Sequence, residues 1–251
     1  MRLLIKTGRL FYGIGIAALG IHQLIIKDFR PEILPAFPSW AHKYTVFPIL
    51  TGIALLFAGI IISGLFTIKF INTKKICLYL GFFFLAIIIT CYLPFMLLIS
   101  TGKASSLAGW FDVCEALAYC GGAFLMAGIS AGRILFSILM IVFGCSHFVY
   151  AANVSTMVPK WAGVPMFWTY FVGVALIGAG IAIILRIWIK PVALLLAIML
   201  FGFFLFFHIP DAIANPSAGG GNEIVRSIVA LLFCGIALLI AFTNGTEKAI
   251  R

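Results

Sequence analysis

Residues 45–67, TVFPILTGIALLFAGIIISGLFT, run for 23 positions without a charged side chain. A helix of that length, rising about 1.5 Å per residue, crosses a hydrocarbon layer of about 30 Å. The apolar positions show no period of two, so the stretch does not read as a barrel strand. A second stretch, residues 166–185, MFWTYFVGVALIGAGIAIIL, repeats its pattern of small residues. Gly52 corresponds to Gly173, and Ala58-Gly59-Ile60 to Ala179-Gly180-Ile181, at a constant spacing of 121. Glycines seven apart share one helical face, where a missing side chain lets a neighbouring helix approach.

The correspondence extends in both directions. Pro38-Ser39-Trp40 matches Pro159-Lys160-Trp161, and Gly81-Phe82-Phe83 matches Gly202-Phe203-Phe204, both at the same spacing. Gly8-Arg9 with Gly20 matches Gly132-Arg133 with Gly144, and Cys120-Gly121 matches Cys234-Gly235. Apolar runs fall at about 8–26, 45–67, 76–99, 107–130, 134–152, 166–185, 190–209 and 224–243. The expected fold is therefore all-α and polytopic, with eight transmembrane helices in two four-helix repeats, residues 1–131 and 132–251. An even-numbered unit returns the chain to its starting side, so the repeats are parallel and related by an axis along the membrane normal. Met1 to Gly20 has the look of a signal peptide, but its counterpart lies in mid-chain, which argues against cleavage.

Composition agrees. Of 251 residues, 64% are apolar and 10% charged, and the mean hydropathy is +1.21. So few charges cannot cover the surface of a water-soluble domain, which excludes soluble enzymes, disordered chains and disulfide-stapled secreted modules. The formal charge of +10 would point to nucleic acid in a soluble protein. Here it sorts by side. Eleven Lys and Arg fall in the segments on the side of the termini and six on the other, while six of the seven acids fall on that other side. The positive-inside rule places both termini in the cytoplasm and leaves an outer face of zero net charge, with no role for nucleic acid.

The order Gly-Arg, an apolar helix ending in Gly and His, Pro-x-Trp, a Gly-bearing helix and an apolar helix closing on Pro resembles the DoxX-like family of bacterial inner-membrane proteins. The chain carries it twice, as Gly8-Arg9, Gly20-Ile21-His22 and Pro38-Ser39-Trp40, then Gly132-Arg133, Gly144-Cys145-Ser146-His147 and Pro159-Lys160-Trp161. His208-Ile209-Pro210 and the small-residue run Ala118 to Gly122 are similar to that family too. The resemblance implies a bacterial cytoplasmic-membrane protein. Its four-helix members include a subunit associated with thiosulfate-to-quinone electron transfer.

The polar residues concentrate on the outer side. His22, His42, His147 and His208 all fall at outer helix ends or in an outer loop. His22 and His147 are near-equivalent in the repeat, and imidazole suits a quinone carbonyl, a lipid head group or haem iron. No His pair lies at ligand spacing within one helix, which disfavours haem and leaves a quinone as the cofactor to consider. The matched Trp40 and Trp161 belong to an interfacial aromatic belt or line a pocket. His208-Ile209-Pro210-Asp211 corresponds to Tyr92-Leu93-Pro94-Phe95, so the second half gains His and Asp. Asp211 would pair with His208 or Arg226, and Asp112 and Glu115 share a face of the fourth helix. The ligand-binding candidates are thus His22, Trp40, His147, Trp161, His208 and Asp211.

Arg9 and Arg133 are expected to snorkel toward lipid phosphates. The six cysteines show no Cys-x-x-Cys and read as small apolar filling, with Cys91 and Cys114 the one pair placed for an outer bridge. No phosphate loop, nucleophile elbow, zinc spacing or other metal motif occurs. The sequence therefore reads as a non-catalytic membrane subunit or accessory factor that contacts a lipid, a quinone or another membrane protein at its outer face. The alternatives are a quinone-linked oxidoreductase subunit and a small-solute transporter.

Overall fold

The computed structural model describes residues 1–66, 70–217 and 221–243. Their regular structure is entirely helical. In chain order the α-helices are α1 (Arg2–Ile26), α2 (Ser39–Lys43), α3 (Val46–Ser63), α4 (Thr73–Ile87), α5 (Thr101–Ala104), α6 (Phe111–Ala127), α7 (Gly132–Val149), α8 (Ala151–Ser155), α9 (Pro165–Leu185), α10 (Ile189–Phe203), α11 (Ile209–Ala214) and α12 (Asn222–Thr243).

Seven helical stretches among the described residues are long and apolar enough to cross a membrane. They are α1, α3, α4 with its continuation to Ile99, α7, α9, α10 with its continuation to Ala214, and α12. The chain is an integral membrane protein. The remaining apolar run forms α6, which is 17 residues long and buried along most of its length, including Ala116, Ala118, Tyr119, Cys120 and Ala123.

Local chemistry sets the helix ends. Asn72 accepts a hydrogen bond from the Lys75 amide and starts α4, and Pro165 occupies the first turn of α9. Gly128, at φ 93°, ends α6 in the left-handed conformation and lets the chain reverse into α7. Both α4 and α10 widen near their far ends, at Ile88–Tyr92 and Phe204–His208, each two residues before a proline, Pro94 or Pro210. A proline ring crowds the carbonyl four residues earlier, and a single π-turn relieves that crowding without ending the helix.

Packing pairs α1 with α3 and α12, α7 with α9 and α6, α4 with α6, and α10 with α12. Small residues make the seams. A Cβ on Gly20 would meet the Gly52 carbonyl at 2.6 Å and the Leu56 amide at 2.7 Å; on Gly144 it would meet the Gly173 carbonyl at 2.8 Å and the Ile177 amide at 2.9 Å. Gly8 lies against Gly235, and Gly132 against Gly121. The thiol of Cys120 donates to the Gly81 carbonyl at 3.2 Å, and that of Cys234 to the Ala197 carbonyl at 3.3 Å.

These contacts change two alignments. Gly81 and Ala197, the carbonyls that accept these thiols, are 116 residues apart, as are the starts of α4 and α10, the starts of their widened turns at Ile88 and Phe204, and the prolines Pro94 and Pro210. The match of Gly81-Phe82-Phe83 to Gly202-Phe203-Phe204 at 121 is therefore out of register. A Cβ on Gly81 would strike the Phe124 ring at 2.5 Å, whereas Gly202 has nothing within 4 Å. In α1 and α7, Gly20 with Gly144 fixes a spacing of 124, so His22 falls opposite Ser146 and His147 opposite Gln23. One residue rotates a side chain by about 100° around a helix, so the two histidines do not share a direction.

Arg9 and Arg133 do not reach for lipid phosphates. Arg9 donates through Nε to the Ile62 carbonyl at 2.6 Å and through Nη2 to that of Ile61 at 3.3 Å. Arg133 donates to Ile183 at 3.3 Å and to Ile184 at 3.4 Å. Each guanidinium satisfies the last carbonyls of the neighbouring α3 or α9, which lack intrahelical donors and sit at the negative end of the helix dipole. All six cysteines are free, so Cys91 and Cys114 form no bridge.

Candidate functional site

The polar residues gather at the end of the bundle opposite Met1 and Thr243, in two dissimilar places. In the first, the connection after α1 folds back into the protein. Phe29, Arg30, Ile33 and Leu34 are all buried. The His42 ring bonds the Asp28 carboxylate at 3.0 Å and the Pro35 carbonyl at 2.8 Å, closing the connection into a compact loop. Tyr92 donates its hydroxyl to the Pro31 carbonyl, and Arg30 bridges to the Asn222 side chain and to Glu32. Glu32 lies within electrostatic reach of Asp112 and Glu115, and Glu115 accepts the Tyr119 hydroxyl at 3.2 Å. His22, buried beneath this loop, has an Nδ1 without a hydrogen-bond partner among the described residues. A Cβ on Gly221 would come within 2.7 Å of its Nε2, and Gly221 adopts φ 88° there. The site is a polar network whose members Arg30 and His22 are buried.

The second place is a cleft of about 820 Å³ between the connection after α7, the far end of α10 with α11, and the first turns of α12. Trp161, Phe206 and Phe207 supply its aromatic wall, with Trp161 edge-on to Phe206 at 6.3 Å. Lys160, Asp211, Glu223 and Arg226 supply its charges. Arg226 pairs through Nη1 with Glu223 at 2.5 Å, and neither partner is Asp211. The side chains of Lys160 and Asp211 have no hydrogen-bond or ion-pair partner among the described residues. The volume falls within the roughly 300–1,000 Å³ of small-molecule sites.

Of the six candidates, Trp161 and Asp211 line this cleft. His208 adjoins it, within electrostatic reach of Asp211 and Arg226, and its Nδ1 is buried without a partner among the described residues. His22 belongs to the packed network, while Trp40 is exposed and edge-on to Phe47 at 5.0 Å. His147 spends its Nδ1 on the Phe143 carbonyl of its own helix at 2.7 Å. Sequence reasoning missed Lys160 as a cleft residue and Arg30, Glu32 and Asn222 as a network. Charges in the connections between helices look alike in sequence, whether they face water or fold inward. Among the described residues no three His, Cys, Asp or Glu side chains gather as a metal site.

Comparison with known proteins places one part of the chain. No curated protein and no solved structure matches it. Residues 128–209, from the α6–α7 turn to the close of α10 and including much of the cleft wall, match the DoxX family model, so this part of the chain is DoxX-like.

Proposed function

We propose that the chain is a DoxX-like protein of the bacterial cytoplasmic membrane with eight crossings, both termini cytoplasmic, and a non-catalytic role as a membrane subunit or accessory factor that holds an amphiphile at its outer face. The eighth crossing is α6, whose 17 residues span about 25 Å as a helix. The two halves, residues 1–131 and 132–251, are read as parallel repeats. Supporting this are the paired contacts Gly20–Gly52 and Gly144–Gly173, Gly8–Gly235 and Gly132–Gly121, and the two cysteine thiols on equivalent carbonyls. The excess of Lys and Arg beside the termini supports the orientation.

The observation that carries the binding role is the cleft, with an aromatic wall at the depth where Trp gathers and four charged side chains beside it. A lipid is favoured over a quinone because His22 and His147, the residues that would hold a quinone, do not line it. Asn153, on the cleft wall, is the place for a reporter. With Cys91 and Cys145, the two partly exposed cysteines, replaced by Ser, Asn153→Cys carries a polarity-sensitive dye. Total bacterial lipid added to delipidated protein should shift its emission saturably. A shift that grows linearly with lipid, as for partitioning into micelles, would overturn the binding role.

A further inference from the structure

The two polar places occupy equivalent corners of the two halves. Each lies between the connection after a first helix, the far end of a third and the first turns of a fourth. By the spacing of 116, His208 stands where Tyr92 stands. By the spacing of 114 that Cys120 and Cys234 fix, Arg226 stands where Asp112 stands. In the first corner the connection after α1 folds inward through the buried Phe29, Arg30, Ile33 and Leu34, and the Tyr92 hydroxyl is satisfied by the Pro31 carbonyl. In the second, the connection after α7 folds as α8 and lines the cleft through Asn153 and Thr156. No counterpart of Pro31 meets His208, whose buried Nδ1 is left without a partner among the described residues. A buried polar atom of this kind is destabilising unless a further partner satisfies it.

Resting on the binding role proposed above, we infer that the cleft is a site for a zwitterionic phospholipid bearing a primary ammonium, its phosphate held by Lys160 and Arg226 and its ammonium by Asp211. Arg226 gives Glu223 one nitrogen, which leaves further guanidinium donors for a phosphate, the anion whose geometry that fork matches. Lys160 adds a second cation. Asp211 supplies an unpaired carboxylate, which an anionic head group would meet with repulsion and an ammonium with a charge-assisted hydrogen bond. Trp161 and Phe206 extend the site with an apolar wall that free phosphate or a soluble phosphoamine has no use for.

The dye on Asn153→Cys separates the outcomes. Nanodiscs of phosphatidylethanolamine should saturate the signal at a roughly tenfold lower lipid fraction than nanodiscs of phosphatidylcholine, whose quaternary ammonium has no N–H to donate. Asp211→Asn should bring the two curves together, and Asp211→Glu should keep them apart. Lys160→Gln should weaken both. Soluble phosphoethanolamine should compete only weakly; full displacement by it would mean that the head group alone is the ligand and would overturn the lipid assignment. Equal saturation by the two lipids in the parent protein, or a preference for phosphatidylglycerol, would overturn the inference while leaving the amphiphile-binding role standing. Loss of any saturable signal, total lipid included, would remove both.

Discussion

The seam between α1 and α3 gives the most direct test of the packing. A Cβ on Gly59 would meet the Ala17 amide nitrogen at 2.3 Å, the Gly13 carbonyl oxygen at 2.5 Å and the Ala17 Cα at 2.8 Å. Ordinary contact begins at 3.4 Å, and all three atoms are backbone, so no rotamer relieves the overlap. The helices would have to part by about 1 Å. Dispersion along such a seam falls by a quarter to a half over a gap of 0.5–1 Å, so Gly59→Ala should cost about 2–3 kcal/mol, the upper part of the range for overpacked sites. On the scale of globular proteins of this length that is a fall of roughly 4–12 °C in melting temperature. The protein carries its own reporter, because Cys77, Cys114, Cys120 and Cys234 are buried free thiols that react with a fluorogenic maleimide only on unfolding. Gly178→Ala is the control, since Gly178 in α9 has nothing within 4 Å of an added Cβ and should melt at or slightly above the parent temperature. Equal melting of the Gly59 and Gly178 variants in the same micelle would refute the seam.

Three further outcomes follow from the same structure. Gly81→Ala should lower the melting temperature because of the Phe124 ring while Gly202→Ala leaves it unchanged; equal effects would restore the register of 121. Tyr92→Phe removes the bond to the Pro31 carbonyl, at about 1 kcal/mol, and should speed hydrogen exchange at the Ile33 and Leu34 amides, both held by the Arg30 carbonyl. Exchange no faster than in the parent would show that this bond does not hold the loop. Arg9→Gln should destabilise by about 1.5–3 kcal/mol, as for hydrogen bonds to a charged group, and Arg9→Lys should rescue little because one ammonium cannot reproduce the fork on Ile61 and Ile62. Full rescue by Lys in the thiol-reactivity melt would return Arg9 to a lipid-anchoring role.

The helices were legible in sequence because an uncharged run of about 20 residues has few places to go other than a bilayer or a core. The small-residue seam was legible too, since Gly52 and Gly59 lie seven apart on one helical face and each has backbone of α1 close to where a side chain would be. Register was harder. The connection between α3 and α4 is longer than that between α9 and α10, so the spacing drops from 121 to 116, and in a chain with 25 Phe a Gly-Phe-Phe match arises by chance. His22 and His147 failed to coincide for a similar reason, a single-residue offset that sequence similarity tolerates and a helix does not. The cleft was only half legible. Asp211 and His208 stood out as polar gains near a helix end with Arg226 as a partner for Asp211, but Arg226 pairs with Glu223 instead, and Lys160 resembled any interfacial cation. Arg30 and Glu32 resembled a solvated turn, because inward folding of that loop depends on Tyr92 and Asn222, which are 61 and 192 residues away from their partners.

The interlacing of the helices bears on how the molecule is assembled. The helix α12 makes its principal seam with α1 and the helix α6 makes its own with α7, while α1 and α7 lie most broadly against α3 and α9, so residues 1–131 and 132–251 are held to each other through α6 and α12. Within residues 1–131 the pairs α1 with α3 and α4 with α6 are joined through the slighter meeting of α3 and α4. A ribosome releasing this chain would therefore leave α1 waiting in the bilayer, its Gly8 and Gly15 face uncovered, until α12 arrives to cover it.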